Sequence, residues 1–183
     1  MLGHGIPDEG AQSSTGTTEA ETNLKIALKV QNLLEQSGAT VILTRSDENA
    51  IYDLDKNTLR EKKISDIHNR VKIGNESQAD IFVSIHQNMF PQSKCYGAQV
   101  WYASNENSNK LATSVQDAIK ESVNDNNKRV AKPAAEAYLI LRDKYEGASI
   151  LVECGFLSNP EEEVKLKNEE HQNLIVDGIS LGI

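Results

Sequence analysis

Two histidines and a few carboxylates carry the chemistry of this sequence. His4 stands between Gly3 and Gly5, in a tight turn that can aim a side chain. His86 directly follows the apolar run Ile81 to Ile85, and Glu153 directly follows Ile150-Leu151-Val152. Two imidazoles and one carboxylate make the three-ligand donor set of a catalytic zinc, which keeps a further position open for water. Glu19 is the best third ligand, because it lies just ahead of a helix and close in sequence to His4; Glu21 and Glu9 remain substitutes. Each residue alone has an ordinary structural reading. A strand-end histidine is often held by a carbonyl, acidic residues favour helix N-termini, and a carboxylate after a buried strand can belong to an internal ion pair. Together they weigh more than singly.

The elements that must position these groups follow from hydrophobic spacing. Asn23 to Gln36 has helical periodicity and stops at Gly38, and Thr40 to Thr44 is short, β-branched and continuous like a strand covered on both faces. The pattern repeats as a helix over Thr58 to Gln78 and a strand over Asp80 to Ile85. Ala98 to Tyr102 reads as a hairpin-like or edge run and Ser108 to Val123 as a helix. Tyr138 to Leu141 and Ser149 to Val152 read as strands, and Glu161 to Lys167 and Glu170 to Leu181 as closing helices. Alternating helices and apolar strands predict one α/β domain over residues 1–183, with a mostly parallel, twisted sheet of about six strands flanked by helices. Ligands of such sheets gather beyond the carboxyl ends of the strands, which directs Arg45, His86 and Glu153 to one rim.

Composition narrows the function. Charged residues at 25% and hydrophobic residues at 38% describe a chain that folds. A net charge of −8 without a Lys/Arg stripe argues against nucleic acid as a partner. There is no apolar run of membrane-spanning length and no signal-peptide pattern in the chain. Cys95 and Cys154 form neither a CxxC pair nor a disulfide framework, and Cys154 reads as a small buried hydrophobe.

Several stretches now combine: Gly3-His4-Gly5, Glu19 with Asn23-Leu24, Leu43-Thr44-Arg45, Asn69-Arg70-Val71, Ser84 to Asn88, and Val152 to Pro160. In this order they resemble the zinc-dependent N-acetylmuramoyl-L-alanine amidases over nearly the whole chain. The resemblance implies zinc held by His4, Glu19 and His86, with Glu153 as the catalytic carboxylate. It implies hydrolysis of the amide joining muramic acid to the first alanine of the peptidoglycan stem peptide, with room for an accessory protein partner. Leu54 to Ala79 is more similar to the germination-specific amidases of endospore formers, which help convert muramic acid to muramic lactam in spore cortex. Arg45, Asn88 and Arg142 are weaker candidates for substrate binding. The family carries an apolar strand before its Gly-His-Gly, whereas Met1-Leu2 is nearly all that precedes it here. The expectation is a trimmed chain or a sheet one strand short, and export rests on the resemblance. The rival readings are a zinc peptidase cutting within the stem, a non-catalytic wall-binding module and a Cys154/His hydrolase.

Overall fold

The computed structural model describes residues 3–124, 126–142, 145 and 147–183. Helix α1 (Glu19–Gln36) begins where Thr18 accepts the Glu21 N–H as N-cap. It starts four residues ahead of the periodic apolar run, so Glu19 is its first residue rather than a residue of the preceding loop. Helix α2 (Leu59–Ser77) opens on a full capping box between Thr58 and Glu61. Strands β1 (Ile81–Asn88) and β2 (Gln99–Tyr102) follow, then α3 (Glu106–Val123), the short β3 (Lys132–Pro133) and the single turn α4 (Leu139–Arg142). Strand β4 (Ala148–Phe156), α5 (Pro160–Lys167) and α6 (Glu169–Gly182) complete the described elements.

The sheet is smaller and less regular than the apolar runs predict. Its order is β1-β4-β2-β3: β1 and β4 are parallel, β2 runs antiparallel to β4, and β3 is parallel to β2. Four strands in a mixed sheet replace the expected six or so in a mostly parallel one. Residues 40–44 form no strand, because β-branched side chains give a ladder only where a neighbour supplies hydrogen bonds. A groove of about 480 Å³ separates this segment from β1. Residues 138–141 fall mainly in α4, since a four-residue apolar run fits a buried helical turn as well as a strand. Met1 and Leu2, where the sequence suggests a shortened leading strand, lie outside the described residues.

The two faces of the sheet differ, and the difference makes the site. Ile85, Val100, Ile150, Val152 and Cys154 turn to one side and form a core with Ile26, Val115 and Ile179 of α1, α3 and α6. Phe82 and Leu151 turn to the other and pack with Val71, Ile140 and Leu141. This second cluster is smaller and covers only the lower part of its face. Period-two alternation carries Ser84, His86 and Asn88 of β1, with Leu151 and Glu153 of β4, to the uncovered part, where all of them line an open cleft.

Beneath this face lies an internal ion pair. Arg70 is only 2% exposed; it donates to both oxygens of Asp66 (2.6 and 2.9 Å), to Thr44 Oγ1 (3.0 Å) and to the His4 carbonyl (2.9 Å). Removing one partner strands the other charge away from water. Arg70→Leu should therefore lower stability by about 3–5 kcal/mol, and Arg70→Leu/Asp66→Leu should recover part of that loss. Urea denaturation of the three proteins measures both effects.

Candidate active site

His4, Glu19 and His86 converge at the mouth of the cleft. Their donor atoms lie within 4.8 Å of one another, and the two rings meet edge to face with centroids 5.2 Å apart. Three segments distant in sequence supply them. His4 comes from the leading loop with φ 55, in the left-handed region that few non-glycine residues occupy, and its carbonyl is held by Arg70. Glu19 opens α1, and His86 lies within β1 rather than beyond its end. Two glycines make room. A Cβ on Gly3 would enter the His86 ring, and one on Gly10, whose φ is +72, would meet Glu19 Oε2 and the His4 ring.

Each ligand candidate is oriented by further hydrogen bonds. Asp8 Oδ2 lies 3.0 Å from His4 Nδ1, within hydrogen-bond distance, and His4 Nε2 lies 3.4 Å from Glu19 Oε2. Glu19 Oε1 lies 2.7 Å from His86 Nδ1 and also accepts from the Gln87 N–H, while Oε2 accepts from the Ala11 N–H. Burial alone would raise the Glu19 pKa. The hydrogen bond and charge of His86, then the charge of His4 and the Ala11 N–H, outweigh burial and hold it at about 2. Glu19 is thus a carboxylate throughout the physiological range. Asp8 is likewise pushed up by burial but held well below the usual carboxylate range by His4 and then Lys63.

Glu153 stands beside the triad in a different electrostatic state. It pairs in register with His86 across β1 and β4, inside the strand and not after its end. Burial first, and the nearby Glu19 charge second, raise its pKa to about 8, against the opposing Tyr138 hydrogen bond and His4 charge. Tyr138 Oη donates to Glu153 Oε1 at 3.1 Å, and Glu153 Oε2 is buried with no hydrogen-bond partner among the described residues. Two carboxylates in one cleft, one pushed down and one pushed up, suit a ligand and a proton carrier.

The remaining predicted residues part company. Asn88 lines the cleft. Arg45 does not reach the rim; it is 4% exposed, and its guanidinium donates to the carbonyls of Gly3, Ala20 and Asp47. It binds the His4 loop to α1 instead of facing a substrate. Arg142 is exposed and pairs with Glu136 at 3.0 Å, outside the residues that line the cleft. Glu9 and Glu21 are exposed and outside the three-residue group; Glu21 pairs with Lys25. Cys95 and Cys154 are free thiols, and burial followed by the Glu153 charge pushes the Cys154 pKa up, against a thiolate nucleophile. Sequence reasoning missed Asp8 and Tyr138. The i+4 spacing of Asp8 from His4 was an available signal, whereas Tyr138 was hidden in an apolar run.

The donor set fits a divalent cation: two imidazole nitrogens and a carboxylate oxygen converge, and the buried Glu153 lines the same cleft. Outer partners of metal-bound histidines commonly contribute 10–100-fold to affinity or activity. Asp8→Asn should thus weaken zinc binding by roughly that factor, as read by competition with a chromogenic chelator.

The family model described as N-acetylmuramoyl-L-alanine amidase matches residues 1–183. The germination-specific N-acetylmuramoyl-L-alanine amidase of Bacillus subtilis is 35% identical over 99% of this chain and 75% of its own length. Among solved structures, the CwlD amidase of Clostridioides difficile, in complex with the GerS lipoprotein, superposes with a TM-score of 0.94 at 40% identity, covering 99% of this chain and 93% of that one. The catalytic domain of CwlV, an N-acetylmuramoyl-L-alanine amidase from Bacillus (Paenibacillus) polymyxa, gives 0.83 at 29% identity, with 99% and 93% coverage.

Proposed function

This chain belongs to the N-acetylmuramoyl-L-alanine amidase family, and on that premise we propose that His4, Glu19 and His86 hold a zinc ion and that Glu153 moves the protons of amide hydrolysis. The observation that carries this reading is the convergence of three donors beside a buried carboxylate with a raised pKa. Zinc at such a site supplies Lewis acidity, polarising a carbonyl and making water more acidic. The protein's own groups do the rest. Asp8 and Glu19 fix the two imidazoles, and the cleft receives the muramoyl–alanine amide against an apolar wall that includes Ile67, Leu139, Ile140 and Leu151. Glu153 accepts a proton from the attacking water and returns it to the alanine nitrogen as the C–N bond breaks. Tyr138, bonded to Glu153 Oε1, keeps that carboxylate aimed.

The substrate we propose is peptidoglycan of the spore cortex, with removal of the stem peptide leading toward muramic lactam. Similarity to the germination-specific amidase of Bacillus subtilis and to CwlD supports this. It implies action outside the cytoplasm, at the wall or cortex. The described residues include no helix long and apolar enough to cross a membrane. The GerS complex of CwlD supports an accessory protein partner for this chain as well. Mass spectrometry of cortex glycan after digestion tests the reading. Free stem peptides with N-terminal L-alanine and glycan with unsubstituted muramic acid are expected; cuts confined to bonds within the stem would identify a peptidase instead.

A further inference from the structure

Among the described residues, the cleft is lined by acidic groups and by one cation that is half exposed. Asp8, Glu19, Asp66 and Glu153 all line it. Of the two described non-histidine cations that line it, Arg70 is buried and engaged by Asp66, Thr44 and the His4 carbonyl. Lys63 is different. Its side chain is 49% exposed, and its Nζ lies 3.2 Å from Asp8 Oδ2, the oxygen that also faces His4 Nδ1 at 3.0 Å. An ammonium has three donors, and the contact with Asp8 holds this one over the His4 side of the cleft. The next lysine along, Lys62, turns away and covers the Tyr52 ring.

We propose that Lys63 is a specificity-determining residue that binds a free carboxylate of the stem peptide, on the residue following L-alanine. This rests on the reading of the cleft as the site of muramoyl–alanine cleavage. The contact with the largely buried Asp8 fixes one side of the Lys63 ammonium, and its half-exposed side chain leaves the remaining donors open to a ligand. Among the described side chains that line the cleft, Lys63 is a half-exposed cation whose ammonium is positioned to meet a carboxylate of a bound peptide. The reach also agrees. Two extended residues span about 7 Å, the same scale as the path of contacts from His4 through Asp8 to Lys63 Nζ.

The test compares two glycan-linked muramoyl peptides that differ only in the α-carboxyl group of the second residue, one free and one a carboxamide. The wild-type enzyme should favour the acid by roughly five- to twentyfold in kcat/KM, carried mainly in KM, as a partly exposed charge-assisted contact provides. Lys63→Met should bring that ratio to near one, and Lys63→Arg should restore most of it. A wild-type ratio near one overturns the proposal, as does a Lys63→Met enzyme that keeps the wild-type ratio. Equal loss on both substrates with weaker zinc binding also overturns it, since Lys63 would then only brace Asp8. Cleavage of neither substrate by the wild type, zinc loaded, would count against the amidase site itself and is distinguishable from all three.

Discussion

Glu153→Gln should lose roughly 10²–10⁴-fold in amide cleavage, the contribution typical of a general acid–base group, while zinc content and melting temperature stay near wild type. Glutamine keeps the shape and can still accept the Tyr138 hydrogen bond, so the packing of β4 has no reason to change. What disappears is the group that titrates. The same substitution has a signature in the metal-free protein. The Glu153 pKa is raised from 4.5 to about 8 in the fold, so its contribution to stability is fully present below about pH 4.5 and is lost as pH rises through 8. Urea denaturation of metal-free wild type should show that decline, and Glu153→Gln should flatten it. A structural ion-pair role predicts the opposite pattern: a loss of several kcal/mol in stability, about 3–5, with activity following the folded fraction. Full activity with zinc retained would remove Glu153 from the chemistry.

Glu19→Gln should abolish tight zinc binding and lower the rate on the order of 10³-fold or more, because a Lewis-acidic metal contributes several kcal/mol to such a reaction and each 1.36 kcal/mol is tenfold. Glu19 is the only carboxylate of the three-donor group, and its two oxygens also accept from the Gln87 and Ala11 N–H groups. The variant thus loses a ligand charge and weakens the join between α1, β1 and the leading loop. Wild-type enzyme stripped by a chelator should recover on addition of zinc, whereas Glu19→Gln should not. Zinc content by atomic absorption, measured beside activity, separates the two losses. Stoichiometric zinc and ordinary rates in this variant would exclude Glu19 as a ligand.

Much of the site was legible in the residue types. Histidines in a Gly-His-Gly turn and after an apolar run, with a carboxylate interrupting another, are costly placements that imply partners. The main helices were legible as well, because amphipathic periodicity and N-terminal caps are local properties: α1, α2, α3 and α6 lie close to where spacing puts them. Strand pairing was not. A ladder depends on the neighbour across the sheet, which is why residues 40–44 stay outside the sheet and β2 runs against β4.

The sequence by itself determined which groups are available: an imidazole pair, several carboxylates, and apolar runs able to bury what lies between them. Tertiary structure decided which of those groups work together. Register between β1 and β4 sets His86 beside Glu153, α1 begins early enough to bring Glu19 to both imidazoles, and Arg45 turns inward to three carbonyls. It also separated the two carboxylates, holding Glu19 at about 2 and lifting Glu153 to about 8. The physical reason is that ionisation depends on burial and on charges a few ångströms away, and those neighbours come from segments far apart in the chain; His86 and Glu19, for example, are 67 residues apart.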